Sequence, residues 1–405
     1  MSSDARLPVL ALNAGSSSLK FGMYLVDERT TELIVSGSAE MTGDERGAFS
    51  ANDANGHVLV CDASPLTTSQ EAIARIAGLL AAHGLPGPRA VGHRIVHGGP
   101  AIRRHTLIDA STMQQLEAAK AFAPLHVPVA LSLVRCAQAT FPDIPQVACL
   151  DTAFHADLPE IARTLPIPSD LRARGIERYG FHGLSCESIV RQLGATLPPR
   201  LMIAHLGHGA SVTAVANGRS IDTSMGLTPS GGVIMSTRCG DIDPGVLAYA
   251  VRELHYNATE LEALIDQRAG LQGISGLSGD MRVLRAAAPA NADARLAIAM
   301  FCYSVRKQIG AMVAALGGID LLVFTGGIGE NDAATRASIC EGLISLGIGV
   351  ETLASISGAD DERKGCAVRV LPAQEDTQIA QHAWRLTTQQ SCASSASIAN
   401  HLFSA

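Results

Sequence analysis

Two polar tips, each set between apolar runs, carry residues that could handle a phosphate. The first lies in Leu7–Phe21 (LPVLALNAGSSSLKF), where Asn13, Gly15, Ser16, Ser17, Ser18 and Lys20 interrupt the apolar pattern. The second, in Leu201–Gly218 (LMIAHLGHGASVTAVANG), carries His205, Gly207, His208, Gly209 and Ser211. Glycine lets backbone N–H groups approach an anion closely, and hydroxyls and cations add donors, so each tip has the chemistry of a phosphate clasp. For the first tip alone, an ordinary Ser-rich hairpin turn is an equal reading. Its recurrence half a chain later suggests two similar halves, each offering a hairpin to a shared cleft.

Charged residues in apolar surroundings extend the chemistry. Arg94 sits inside the apolar pattern of Ala90–Pro100 (AVGHRIVHGGP), and a buried arginine must meet an anion, either an internal carboxylate or a substrate carboxylate or phosphate. Arg238 is the one cation in the polar stretch Asp222–Gly245; a weak surface pair with Asp241 or Asp243 is its plainer reading. Asp151 follows a buried strand, where α/β folds place metal-binding and catalytic groups, unless it merely caps a turn. Glu375 and Asp376 could complete a metal site with Asp151, or simply supply favourable charge to a helix N-terminus. His182 stands between an aromatic residue and a glycine, while His126 among apolar neighbours reads more readily as a core histidine.

Phosphate donors, cations and carboxylates for Mg²⁺ are the ingredients of phosphoryl transfer. A hydroxyl acceptor would need a general base, whereas a carboxylate is already ionised at neutral pH. Arginines placed to hold an anion therefore point to a carboxylate acceptor.

The elements that must position these groups follow from local signals. Thr68–Glu71 is a capping box opening a helix through Ile73, Ile76 and Leu80, closed by Gly84 and Pro86. Ala90–Pro100 and Pro145–His155 read as strands, a polar helix runs from near Ser111 to the Ala121–Pro128 stretch, and a helix through Ile189 and Leu193 follows His182. Asp222–Gly245 reads as a long functional loop and Gln272–Arg282 as a Gly/Ser turn. A helix over 292–316 feeds a strand at Ile319–Phe324 and a Gly-rich turn at Thr325–Asn331. Val368–Leu371 reads as a strand and Thr377–Leu386 as a helix. Neither the Walker A nor the G-x-G-x-x-G spacing occurs.

Composition bounds the class. The 405 residues, 47% of them apolar, exceed what one core-forming domain requires. A net charge of −7 argues against a nucleic-acid partner. Nine scattered cysteines without C-x-x-C spacing read as reduced thiols. No apolar segment has the length of a secretory leader core or a membrane span, so a cytoplasmic setting and no membrane partner are expected.

Taken together and in this order, LALNAGSSSLKF, GHRIVHGG, APLH, LDTAFH, YGFHG, HLGHGAS, DTSMGLTP, TRCGDIDPG, SGLSGDMR, FTGGIGEN and the C-terminal acidic pair make the sequence resemble the acetate kinases of the acetate and sugar kinase/actin superfamily. The resemblance covers all but the tail. It implies an α/β, duplicated actin-like (ribonuclease H-like) fold, with two lobes and a central cleft, working as a homodimer. The N-terminal lobe would span 1–152, joined by a C-terminal helix at 377–388. The nucleotide lobe would span 153–376, with 389–405 as a mobile tail.

The implied activity is reversible transfer of the ATP γ-phosphate to acetate, giving acetyl phosphate and ADP, with Mg²⁺ as cofactor and Mn²⁺ as the alternative metal. A propionate- or butyrate-type acyl kinase and a non-kinase, actin-like nucleotide-binding protein are the competing readings. The resemblance makes Arg94, Arg238, His182, His126 and Asp151 the catalytic set, with His182 and Arg238 stabilising the transition state. It assigns Asn13, Asp151 and Glu375 to the metal, with Ser16 near, and Arg94, Val96, Leu125, Phe181 and Pro229 to acetate. The nucleotide falls to Lys20, His205, Gly207, His208, Gly209, Asp280, Met281, Arg282, Gly327, Ile328, Gly329 and Asn331. Departures from the family pattern are His208 for Asn, Val127 for Asn, Cys186 for His, and Ser236 and Cys239 for Gly and Ser.

Overall fold

The first polar tip is the turn of an antiparallel pair, in which β1 (Leu7–Ala14) runs out and β2 (Ser18–Val26) returns with Asn13 opposite Lys20. A computed structural model describes residues 6–15, 18–40, 49–64, 66–349 and 365–402 of the chain. Ser16 and Ser17 lie outside the described residues. The chain divides into two compact units, Met1–Ala153 with Gln374–Ala405, and Phe154–Ala373.

In the first unit β3 (Thr31–Glu40), β4 (Phe49–Asp53) and β5 (Val58–Asp62) continue the antiparallel meander. Then α1 (Ser69–Ala82) begins at the expected capping box, with Thr68 and Glu71 satisfying each other's backbone donors. The buried strand β6 (Ala90–Ile95) lies parallel to β1. It is followed by β7 (Thr106–Leu107), α2 (Ala110–Ala118), α3 (Val127–Thr140) and the fully buried β8 (Gln146–Leu150), which is parallel to β6. The order across this sheet is β5-β4-β3-β2-β1-β6-β8-β7. Ile73, Ile76 and Leu80 of α1 and Leu133 of α3 pack on Leu10, Leu12, Phe21 and Met23. Asp151, Arg94 and Asn13 are thereby carried at the same end of three neighbouring strands.

The second unit begins with the short helices α4 (Glu160–Arg163) and α5 (Ser169–Arg172), then α6 (Gly183–Leu193). The second polar tip joins β9 (Arg200–Leu206) to β10 (Ala210–Ala216), and β11 (Arg219–Thr223) extends the hairpin. After the long loop come α7 (Pro244–Leu254), α8 (Ala258–Asp266), α9 (Gly270–Ser275), α10 (Met281–Ala287) and α11 (Ala292–Leu316), which ends at Gly317 as expected. Then follow β12 (Leu321–Thr325), α12 (Gly326–Asn331), α13 (Ala333–Glu341) and β13 (Ala367–Val370). The sheet order is β11-β10-β9-β12-β13. Cys186, Ile189 and Leu193 of α6 pack on Leu201, Ile203, Val215 and Val323.

The chain ends in α14 (Glu375–Leu402), which returns to the first unit and lies across β1, β6 and β8. There Ile379, Ala380 and Ala383 are buried. Numbered by order of appearance, the run β3-β2-β1-β6-β8 repeats β11-β10-β9-β12-β13: two antiparallel pairings followed by two parallel ones. The duplication suggested by the two tips is thus a duplication of topology.

Three local expectations are corrected. Gln272–Ser275 belongs to α9 and is not a turn, because Leu271 and Gln272 donate their N–H groups to Met235 and Ser236 carbonyls and fix the helix from outside. Gly326–Asn331 is a helix and not a Gly-rich turn, closed by Glu330 Oε1 on the Gly326 N–H (2.9 Å) and Asn331 Nδ2 on the Gly327 carbonyl (2.9 Å). The C-terminal helix continues to Leu402, beyond both the Leu386 and the 388 bounds and through most of the expected tail; neither Gly nor Pro interrupts it, and its alanines and glutamines favour the helix. Residues 403–405 lie outside the described residues.

Candidate active site

At the carboxyl ends of β1, β6 and β8, a guanidinium meets a group of oxygens. Arg94 directs Nε (2.9 Å) and Nη2 (2.5 Å) to Asp151 Oδ2, and its Nη1 to the Ala14 carbonyl (3.2 Å). Asp151 is 1% exposed. The Asn13 amide links the arginine to α14: Oδ1 accepts from Arg94 (3.5 Å), while Nδ2 donates to Glu375 Oε2 (3.1 Å) and Asp376 Oδ1 (2.8 Å). Burial alone would pull the Arg94 guanidinium down, but Asp151, Glu375 and Asp376 outweigh it and hold it above its ordinary value. Burial and the neighbouring Glu375 push Asp376 up against the Asn13 hydrogen bond and the charges of Lys20 and Arg94. Three carboxylates and an amide oxygen around one cation form a hard, all-oxygen donor set, the kind Mg²⁺ prefers, with negative charge left to neutralise.

In the second unit the β9–β10 turn is the focus. His182 occupies the N-cap of α6 in the left-handed region (φ 56°), a conformation that costs energy and concentrates at functional sites. Its ring stacks on His205 at 4.1 Å, with His182 Nδ1 3.0 Å from Ser211 Oγ and His205 Nδ1 2.8 Å from Ser185 Oγ. A Cβ on Gly209 would stand 3.1 Å from His182 Nε2 and 3.4 Å from Arg238 Nη1, so the turn backbone lies directly against an imidazole and a guanidinium. Gly326, at φ 79°, brings the start of α12 against the Leu206 carbonyl and His205 Nε2. The loop between Thr223 and Pro244 has no regular element, as expected, yet Met225, Val233, Met235 and Ser236 are buried in it. Ser236 N–H binds the His208 carbonyl (3.2 Å), tying the loop to the turn beside Arg238. Asp241 and Asp243 hold the Gly232 and Gly245 N–H groups; Arg238 Nη1 reaches the Pro229 carbonyl (3.4 Å).

The remaining candidates fall as follows. Asp280 caps α10 and binds the Arg282 guanidinium (2.6 Å), with Met281 buried between them in sequence. Gly327, Ile328, Gly329 and Asn331 form α12. Lys20 is exposed on β2, and His126 is half-buried at the N-cap of α3. Val96 and Phe181 are buried, Pro229 is half-buried and Leu125 is exposed.

The sequence reading passed over His155 and Ser185, and took Ser211 only as a member of the second polar tip. His155, fully buried, lies 2.8 Å from Ser220 Oγ and donates to the Phe181 carbonyl (3.0 Å), bracing the residue before His182. His155 lies inside the quoted LDTAFH and Ser211 inside HLGHGAS, while Ser185 stands two residues beyond YGFHG, so the available signal was a motif that already carried a histidine.

Two repeats of one strand order, each with a glycine turn beside cations or carboxylates, define a duplicated actin-like α/β fold of the kind that handles phosphoryl groups. A profile of the Acetokinase family matches residues 8–381, and the chain belongs to that family. It is 40% identical to an acetate kinase of Rhodopseudomonas palustris over 396 residues, covering 93% of this chain and 98% of the relative. Among solved structures it superposes on a propionate kinase from Francisella tularensis (TM-score 0.85, 34% identity, 94% and 100% of the two chains). It also superposes on the Porphyromonas gingivalis acetate kinase (TM-score 0.81, 32% identity, 94% and 100%).

Proposed function

We propose that the chain catalyses reversible transfer of the ATP γ-phosphoryl group to acetate, giving acetyl phosphate and ADP. The observation that carries this reading is the Arg94–Asp151–Asn13–Glu375/Asp376 network, which holds a guanidinium for a carboxylate beside an all-oxygen donor set for a divalent cation. Both nearby names, acetate kinase and propionate kinase, belong to enzymes with that class of acceptor.

An acetate oxygen attacks the γ-phosphorus, and the bond to the β–γ bridging oxygen breaks. The acceptor enters ionised, so no proton has to be removed. Arg94 holds the acetate carboxylate, and Arg238 neutralises charge on the equatorial phosphoryl oxygens. His182 donates a hydrogen bond to the migrating group, with His126 in support. Asn13, Asp151 and Glu375, joined by Asp376, would hold Mg²⁺, which when bound supplies charge neutralisation of the phosphates. The Gly207–Gly209 turn with His205 and His208 receives the donor phosphates, with Lys20 assisting, and α10 and α12 the adenosine. Val96, Leu125, Phe181 and Pro229 receive the acetate methyl. Since an added methylene is worth only about 1–3 kcal/mol, propionate is a weaker substrate and is not excluded.

The chain works as a homodimer in this reading. Of α7 only Ala250 is buried, while Val246, Tyr249, Val251 and Leu254, with Leu296, Met300 and Tyr303 of α11, are exposed. So many exposed apolar side chains on α7, interrupted only by the Arg252–Glu253 pair, call for cover, and they support a second copy as the partner. Light scattering of the purified protein checks this point.

Purified protein with ATP, Mg²⁺, acetate and hydroxylamine should yield acetyl hydroxamate. Strong turnover with butyrate and none with acetate would move the assignment to a longer-chain acyl kinase. ATP binding without any acceptor-dependent ADP release would leave only an actin-like nucleotide-binding protein.

A further inference from the structure

The two stacked histidines are held crosswise. Helix α6 contributes His182 and Ser185, and the β9–β10 hairpin contributes His205 and, directly opposite it in register, Ser211. Each serine bonds the histidine of the other element: Ser211 Oγ lies 3.0 Å from His182 Nδ1, and Ser185 Oγ lies 2.8 Å from His205 Nδ1. Both serines have no exposed surface. Both Nε2 atoms border the same turn, His182 Nε2 beside Gly209 and His205 Nε2 beside Gly207 and Gly326.

We propose that Ser185 and Ser211 are positioning residues that lock both imidazoles with Nε2 toward the phosphate-bearing turn. This rests on the phosphoryl-transfer reading of that turn. The torsion that orients an imidazole is broad and roughly two-fold. A ring turned by 180° would present carbon where Nε2 now stands, so Nδ1 has to be tied for Nε2 to be aimed. A serine hydroxyl can donate to a bare Nδ1 or accept from a protonated one, so the latch serves both states of the ring. The stack adds a second restraint, because neither ring can turn without disturbing the other.

The test is a double-mutant cycle in the hydroxamate assay, read beside long-range ¹H–¹⁵N spectra of the imidazole nitrogens of the full-length protein. Ser211→Ala should lower kcat by roughly 10–100-fold with the acetate KM little changed, and Ser211→Thr, which keeps the hydroxyl, should recover much of it. In a His182→Ala background Ser211→Ala should cost nothing further, and Ser185→Ala should behave likewise with His205→Ala. The spectra should show a hydrogen-bonded Nδ1 for each ring in the unaltered protein and the loss of that signature at the affected ring in each alanine variant. Additive losses across the cycle, or unchanged kcat and spectra in Ser211→Ala, would overturn the proposal. Absence of acceptor-dependent turnover in the unaltered protein would sink the function instead, while the spectra would still report on the latch.

Discussion

Arg94 grips Asp151 through a single carboxylate oxygen, both Nε and Nη2 converging on Oδ2, rather than through the parallel two-oxygen fork usual for this pair. The guanidinium therefore keeps Nη1 for the Ala14 carbonyl and the Asn13 amide, on the side where Glu375 and Asp376 also lie.

This geometry predicts unequal costs for removing the two partners. Arg94→Ala strands a fully buried carboxylate next to two more, and breaking a buried pair in this way costs about 3–5 kcal/mol. Asp151→Ala leaves the guanidinium facing Glu375 and Asp376, which still hold its charge, so it should cost less. Both variants should lose turnover by about two to three orders of magnitude. Denaturant unfolding of the two proteins at neutral pH checks the order; equal costs, or the reverse, would show that the C-terminal carboxylates do not share the arginine.

What was legible in the sequence was local. The two hairpins announce themselves by apolar runs broken at Gly15 and at Gly207–Gly209, the helix at Ser69 by its capping box, and α11 by a stripe from Ala294 to Met312 ending at Gly317. The acidic pair at 375–376 and Asp151 were visible as carboxylates at element ends, but the Asn13 amide that joins them to Arg94 bridges more than 350 positions and leaves no spacing to read. The errors have the same origin. Gln272–Ser275 and Gly326–Asn331 are helical because distant carbonyls and Glu330 hold them, against the local preference of Gly and Ser. The crosswise serines were hidden for this reason too: Ser185 and His205 meet only once α6 lies on the hairpin.

Two glycines at the second tip should separate steric from conformational roles. Gly209 needs no left-handed backbone, so Gly209→Ala meets only crowding, its methyl 3.1 Å from His182 Nε2 and 3.4 Å from Arg238 Nη1. Turnover should fall by roughly 10–100-fold through displaced catalytic groups, while the melting temperature changes little. Gly326→Ala combines a φ of 79° with a Cβ 2.8 Å from the Leu206 carbonyl, and should lose about 1–3 kcal/mol of stability. Thermal melts paired with the hydroxamate assay distinguish the two; a destabilised Gly209→Ala with normal turnover per folded molecule would contradict the placement of the turn against the reacting groups.

Stability should fall on mild acidification, through one buried histidine in each unit. Burial pushes the His93 imidazole down to about 4 against its Gln146 hydrogen bond, and does the same to His155 against the Phe181 carbonyl and Glu187. Both are neutral when folded, while the unfolded chain takes up a proton near the ordinary histidine value of about 6.5. The unfolded state thus binds more protons between pH 6.5 and 4. Stability is complete above that window and is lost as pH falls through it, on the order of 3 kcal/mol per histidine. Calorimetry from pH 7.5 to 5 should show the decline, and His93→Gln should reduce its slope; an unchanged slope would mean that His93 does not carry the effect.

His208 lies on the turn proposed to receive the donor phosphates, at the position where the resemblance drawn from the sequence leads one to expect Asn. Partial desolvation and then the nearby Arg238 guanidinium hold its imidazole below the ordinary histidine value, so at neutral pH it is uncharged, as an asparagine would be. Its backbone carbonyl, which holds Ser236, is untouched by a change of side chain. His208→Asn should therefore give the same pH–rate profile and the same KM for ATP as the unaltered protein above pH 6.5. At lower pH, where the imidazole at last gains a proton beside Arg238, it adds a second cation to the phosphate path, which the amide cannot do. The two profiles should separate only there, with the unaltered protein binding ATP more tightly than the variant as pH falls. Steady-state kinetics from pH 5.5 to 8.5 decide the point, and a divergence already present at pH 8 would mean that His208 acts through hydrogen bonding or shape rather than through charge.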